Sequence, residues 1–456
     1  MEIGLNEIIY YFSLLICMSL GSYYRKIDDI ETKRNYGAGL GILTACLICG
    51  FQIYHCVLMV WGNVVIIKCS DKRYVHHLSM AYTWTYLIYM YYYAATSQYV
   101  IWLHQAMALK LVGLAFEINN HDKRTNPNRP PMPNNTMTSG DNQVMTTEPT
   151  AVDIITYSFF FIGIHKGPYY RWKTFESHFS EPFATLGDCR VITMQKLKKV
   201  ALCSMGFLLL STRYSAKYYN ADSFYRDHNT DYRFLYNIPL LVMFFLQNQM
   251  VMALSTAVCT EAGFGVYPAK CNPLPGHGPS EHTSFMNVVT AETALAEEYN
   301  FGMLKCFENG KLLLGPKMKD TLRSWDMPTV YWFWINIYKN MSKTNKETRS
   351  ACSYLAWTLW CGADLQHFIL AATLWVYVNL ELEFSGIFNT ARQMKRLPWE
   401  IGFSLMRILC LIYLTPCVII KDTSVFLRYY NSIYWIYHWF LLGSIIVAIA
   451  LQKLLN

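Results

Sequence analysis

Residues 351–380 read "ACSYLAWTLWCGADLQHFILAATLWVYVNL", an apolar run long enough to cross a bilayer but interrupted at its middle. About 20 apolar residues are needed to span the hydrocarbon. Tryptophans and aliphatic residues on both sides of the interruption meet that need. Between them stand Cys361, Gly362 and Asp364. A carboxylate at that depth is costly and by default marks a functional site. If the run is one continuous helix, Trp357, Cys361, Asp364 and Phe368 share a face. His367 then lies about 120° around from Cys361, off that face, and reads as a satisfied structural histidine. His165 and His438 also lie at apolar segments, without an identifiable partner.

The rest of the chain repeats the pattern. Of its 456 residues, 53% are hydrophobic, 16% aromatic and only 15% charged, against about 25% charged in soluble domains. Further apolar runs centre on residues 8–20, 38–67, 78–95, 100–116, 154–164, 200–211, 238–258, 401–420 and 433–455. The expected fold class is an all-α polytopic membrane protein, a single domain over 1–456. It would hold about nine to eleven helices, with short re-entrant or interfacial ones. Residues 38–67 fit a kinked helix or a helical hairpin, while 154–164 and 200–211 are too short to cross straight. The 8–20 run follows Glu2 and Glu7 rather than a basic stretch, so it reads as a first helix and not a cleaved signal.

The net charge of +8 is dispersed among the apolar segments. That fits cytoplasmic loops, anionic lipid or a phosphorylated substrate, and it argues against nucleic acid. The 14 cysteines are scattered. Cys46 and Cys49 spell C-x-x-C, but within an apolar run and with no second pair, so they read as buried small residues and no metal site is expected. No phosphate-cradling glycine loop and no H-E-x-x-H occurs.

Two polar stretches break the membrane pattern. Residues 119–150, rich in Asn, Pro and Thr, are expected to be a flexible loop. They include a glycosylation sequon at Asn134. Residues 263–326 form a larger loop system, positive through Lys311, Lys317, Lys319 and Arg323. Its charge suits either positive-inside topology or a phosphate. It leads into "MPTVYWFWINIY", 327–338, a helix too short to cross. Asp326 followed by Pro328 has the spelling of an N-cap, with the carboxylate accepting the Thr329 N–H.

Several segments carry a family resemblance. They are "AYTWTYLIYMY" (81–91), "LKLVGLAFEI" (109–118), "GIHKGPYYRWKTF" (163–175), "EAGFGVYP" (261–268), "EEYNFGMLKCF" (297–307), "RSWDMPTVYWFWINIYKN" (323–340) and "RSACSYLAWTLWCG" (349–362). In order and spacing the chain resembles the membrane-bound O-acyltransferases, and within them the branch that acylates lysophosphatidylinositol. The resemblance implies transfer of an acyl group from acyl-CoA, a co-substrate, to a lysophospholipid, with no other cofactor. It implies a multi-pass protein of the endoplasmic reticulum. The reaction needs a base for the attacking hydroxyl and a polar group for reactants or oxyanion. In the family a histidine in a W-H-G segment is the base, and an asparagine in an R-x-W-N segment is its partner.

Carried over, the histidine position is Cys361 and the asparagine position is Asp326, both substituted. The family's Pro-Gly beyond W-H-G is replaced by Leu365 and Gln366. Around the two catalytic positions, Trp325, Trp357, Trp360 and Asp364 are expected to line the substrate site, with Lys319 and Arg323 facing a phosphate. Cys361 has no evident base or cation in its sequence neighbourhood to activate it, and activated cysteines sit in electropositive places. Asp326 could serve as a base only by leaving its cap. Three readings follow: a catalytically impaired member that keeps its lipid pocket, an active lysophospholipid acyltransferase with a rebuilt site, or an unrelated transporter. No internal repeat or paired broken helices support the last.

Overall fold

The computed structural model describes residues 4–94, 96–126, 145, 148–281, 297–341, 343–387 and 393–455. The protein is an all-α, multi-pass membrane bundle with only two-residue strand pairs. Among the described residues, seven helices are long and apolar enough to cross a membrane. One of the seven, residues 30–69, is divided at Gly50 into two helices. Val75–Tyr92 and Cys189–Ser211 have 18 and 23 residues but a more polar composition, and Lys346–Trp360 has only 15. Cys189–Ser211 is also longer than its apolar run suggests, because its first turns read CRVITMQKLKK.

The central element is Gln98–Thr125, buried on every side through most of its length. Ser97 caps it, its side chain accepting from the Val100 N–H, which satisfies one orphan donor of the first turn. The helix runs on into the stretch expected to be loop from 119, because the Asn119 amide donates to the Lys72 and Arg73 carbonyls at 2.6 and 3.2 Å. Most of the remaining stretch, Asn134 included, lies outside the described residues.

Ile30–Cys49 and Ile53–Cys69 are separated at Gly50, whose φ of 54° turns the chain. The short 154–164 run forms Ala151–Phe159, opened by a reciprocal Thr150–Asp153 capping box, and then a non-helical turn over 161–163. Backbone inside a membrane protein must find partners within the protein. Here Lys110, from the central helix, donates to the carbonyls of Tyr157, Phe160 and Ile162 at 3.5, 3.4 and 3.0 Å.

Two apolar clusters make up the core. One gathers the N-terminal helices around the central one and includes Trp332. The other gathers Leu365–Ile387, Gln393–Ile419, Thr423–Ser432 and Ile436–Leu455 with residues near Tyr219 and Leu240. Trp357 packs against both clusters and so stands on their seam. The loop system at 263–326 folds as short strand pairs, Tyr267–Pro268 with Tyr299–Asn300 and Pro273–Leu274 with Gly278–Pro279, followed by Asn309–Leu314 and Met318–Arg323.

Candidate active site

A cavity of about 1420 Å³ opens along the seam. Its walls include all eight residues expected at the catalytic and substrate-binding positions: Cys361, Asp326, Trp325, Trp357, Trp360, Asp364, Arg323 and Lys319. Arg323 is exposed, so it stands at the mouth of the cavity.

Cys361 does not lie inside a continuous helix. Lys346–Trp360 ends just before it, and Leu365–Ile387 begins four residues later. Gly362 has φ 119° and Ala363 φ 60°, and the Ala363 N–H returns to the Thr358 carbonyl at 3.1 Å. This is a left-handed C-terminal cap built on glycine. The expected shared helical face of Trp357, Cys361, Asp364 and Phe368 is therefore lost. A different assembly replaces it. Gly362 packs so close to Tyr91 that a Cβ there would sit 2.6 Å from the ring. Gln105 donates to the Tyr91 hydroxyl at 2.8 Å and to the Trp360 carbonyl at 3.2 Å, and the Trp360 indole donates to the Gln105 carbonyl at 3.2 Å. The break also swings His367 into the cavity wall, its Nδ1 3.6 Å from Asp364 Oδ2, where continuous helical geometry had excluded it.

Asp326 precedes Met327–Phe333, with Pro328 in the first turn, as its spelling predicts. No capping hydrogen bond of good geometry forms, although the Thr329 N–H and hydroxyl lie close enough to the carboxyl of Asp326 to act on it. Its backbone is left-handed, φ 42° and ψ 59°, whereas a capping side chain needs an extended backbone to reach the first-turn N–H groups. Oδ1 is enclosed without a hydrogen-bond partner. Burial pushes the pKa of this carboxyl up, and Thr329 and the Lys166 ammonium oppose that shift. Trp325 beside it stacks on Phe244 with centroids 5.7 Å apart. The short helix continues as a π-helical segment, Trp334–Tyr338, a distortion frequent near functional sites.

Sequence reasoning missed Lys166. It lines the cavity, donates to Asn248 Oδ1 at 2.7 Å and stands 3.9 Å from the Trp102 ring centroid. Its charge is felt at both Asp326 and Cys361. Burial pushes its pKa down to about 8, with Asp326 the main opposing influence. The absence of a cation near Cys361, expected from the sequence, is thus corrected. The only sequence signal was a lysine in "GIHKGPYYRW", nearly 200 residues from Cys361 along the chain. Of Cys46 and Cys49, both expected to be buried, Cys49 is buried and Cys46 is exposed.

The site is a spanning bundle with a large cavity on its seam, bordered by both Cys361 and Asp326. A sequence model of the MBOAT, membrane-bound O-acyltransferase family, matches residues 85–420, and the chain belongs to that family. It is 26% identical over 447 residues to the Drosophila melanogaster "Membrane-bound acylglycerophosphatidylinositol O-acyltransferase frj", covering 94% of this chain and 89% of the relative. The Danio rerio protein of that description, mboat7, is 24% identical, covering 95% and 91%. The Homo sapiens MBOAT7 is 23% identical, covering 98% and 94%.

Proposed function

We propose that this protein is a lysophospholipid-handling member of its family, of the endoplasmic reticulum, that retains the acyl-CoA and lysolipid cavity and has little acyl-transfer activity. One observation carries the reading. Trp325, Trp357 and Trp360 border a large cavity, yet the positions that the family resemblance gives to base and partner hold a thiol and a carboxylate. At neutral pH a thiol is a weak acid and not a base. Asp364 on the same wall adds negative charge that disfavours a thiolate. A cavity of this size exceeds the roughly 300–1,000 Å³ of small-molecule sites and suits a long acyl chain beside a second lipid. The names of the relatives support lysophosphatidylinositol as the lysolipid, with Lys319 and Arg323 suited to its phosphate.

A second reading, an active enzyme with a rebuilt centre, is favoured by Lys166. Its amine, when neutral, would take the proton of the lysolipid hydroxyl as that oxygen bonds to the thioester carbonyl carbon. The carbon–sulfur bond then breaks, and the ammonium returns the proton to the departing thiolate.

The test uses membranes lacking related enzymes, supplied with labelled acyl-CoA and a panel of lysophospholipids. Saturable binding of a non-hydrolysable acyl-CoA analogue with turnover near background is expected. Robust turnover that disappears in Lys166→Met would replace this reading with the second. Failure to bind either lipid would remove both.

A further inference from the structure

We infer that Cys49, Cys56 and His104 form a buried binding site for a thiophilic divalent cation, zinc by its charge, that fastens the chain break at Gly50 to the central helix. The site is separate from the acyltransferase cavity, and the inference does not depend on the function proposed above.

The three residues come from three elements. Cys49 ends Ile30–Cys49, Cys56 lies in the first turn of Ile53–Cys69, and His104 lies in Gln98–Thr125. The turn at Gly50 brings both thiols to one side. Cys49 Sγ and Cys56 Sγ are 3.7 Å apart, Cys56 Sγ and His104 Nε2 are 3.4 Å apart, and all three donor atoms lie within 4.8 Å of one another. Zinc bonds of about 2.3 Å to sulfur and about 2.0–2.1 Å to nitrogen, at tetrahedral angles, give edges of roughly 3.8 Å and roughly 3.5 Å. The Cys49–Cys56 and Cys56–His104 spacings fit that figure, and the third edge lies within 4.8 Å.

The imidazole is oriented for ligation. His104 Nδ1 lies 2.8 Å from the Val100 carbonyl, so Nδ1 carries the hydrogen and donates it. The Nε2 lone pair then faces Cys56. A backbone carbonyl holding the second nitrogen is the usual support of a metal-binding histidine. The neighbouring His55 is engaged with the Tyr86 hydroxyl at 2.7 Å and is not a fourth donor. One corner is left for a water molecule.

Charge selects the ion. Cys49, Cys56 and His104 are 6%, 0% and 0% exposed. Two thiolates and a neutral imidazole carry two negative charges, which a divalent cation neutralises as two thiol protons leave. A monovalent copper ion would leave one negative charge stranded among apolar residues, at high cost. The sulfur and nitrogen donors are unsuited to magnesium or calcium. The plainer alternative is a metal-free chain of thiol–thiol–imidazole hydrogen bonds. The clamp would also matter to the cavity, because Gln105, the next residue after His104, holds Tyr91 and Trp360 in its wall.

The test is elemental analysis by mass spectrometry of the full chain, purified in detergent without chelator. About one zinc per chain is expected, falling to background in Cys56→Ser and His104→Gln and unchanged in Cys46→Ser. Chelation should lower the thermal midpoint of the wild type by several degrees and leave His104→Gln unmoved. Cobalt exchanged into the protein should show thiolate-to-cobalt charge-transfer absorption, a readout that needs no variant to fold. Zinc no higher in the wild type than in His104→Gln would overturn the inference. So would copper in its place, or a Cys49–Cys56 disulfide in the protein as isolated.

Discussion

Glu381 and Arg407 on one side are buried charged side chains, Lys166 and Asp326 on the other are half-buried ones at the cavity, and their surroundings differ. Glu381, from Leu365–Ile387, accepts the Met318 and Lys319 N–H groups at 2.8 and 3.2 Å. Arg407, from Gln393–Ile419, donates to the carbonyls of Leu312 and Leu313 at 2.7 and 2.8 Å and to the Thr321 hydroxyl at 2.8 Å. Both sew the polar 309–323 segment onto spanning helices. Lys166 has one amide partner, and an oxygen of Asp326 has none. A charge at membrane depth therefore does not by itself identify a working site. The first pair is structural, held through both Glu381 oxygens and both terminal Arg407 nitrogens, with only Arg407 Nε left without a partner. The under-satisfied pair borders the cavity, where a substrate could complete its hydrogen bonds.

The largest effect that would break this comparison belongs to the first, structural pair. Arg407→Met removes the donor to the Leu312 and Leu313 carbonyls and the Thr321 hydroxyl. Leaving a buried acceptor without its donor costs about 1–3 kcal/mol. The variant should elute as aggregate, or melt far below the wild type, in fluorescence-detected chromatography with heating. A melting midpoint equal to wild type would show that the sewing is dispensable.

The next effect concerns the break that shapes the site. Gly362→Ala puts a Cβ at 2.6 Å from the Tyr91 ring on a backbone with φ 119°. Strain of this kind costs about 1–3 kcal/mol, and the displaced Tyr91 would release Gln105 from the Trp360 carbonyl. Reduced thermal stability together with weakened acyl-CoA analogue binding is expected. Normal binding would mean that the Tyr91–Gln105 contact does not shape the cavity.

These residues also mark what sequence could and could not convey. Spanning segments were legible because crossing hydrocarbon demands long apolar runs, and the family segments kept their order. The short helix after Asp326 was legible from its aspartate and proline. The break at Cys361 was not, since an isolated glycine in an apolar run is compatible with a continuing helix. Placement of His367 failed for that same reason. Lys166 and the partners of Cys49 were invisible because they meet their neighbours only through tertiary packing. The Asp326 cap was misjudged because its residue type does not reveal a left-handed backbone.

Restoring the family residues sharpens the contrast from the other side. Cys361→His with Asp326→Asn places an imidazole and an amide at the cavity wall and removes the unpaired carboxylate. Acyl transfer to lysophosphatidylinositol should rise at least about tenfold over wild type, equivalent to about 1.4 kcal/mol of transition-state stabilisation. Equal turnover in the two proteins, with binding intact, would show that the impairment lies elsewhere in the cavity.

The smallest effect tests Lys166 alone. If the wild type has little chemistry to lose, Lys166→Met should change analogue affinity by less than about threefold, or roughly 0.7 kcal/mol. Its residual turnover should also be flat with pH. A base with its pKa near 8 behaves differently. It must be neutral to accept the hydroxyl proton, so its rate climbs as pH rises through 8, by about tenfold between pH 7 and pH 9, and levels off above. Initial rates across that range, in wild type and Lys166→Met, separate the two cases. A rising profile that vanishes in the variant would move Lys166 and Asp326 from under-satisfied bystanders to working groups.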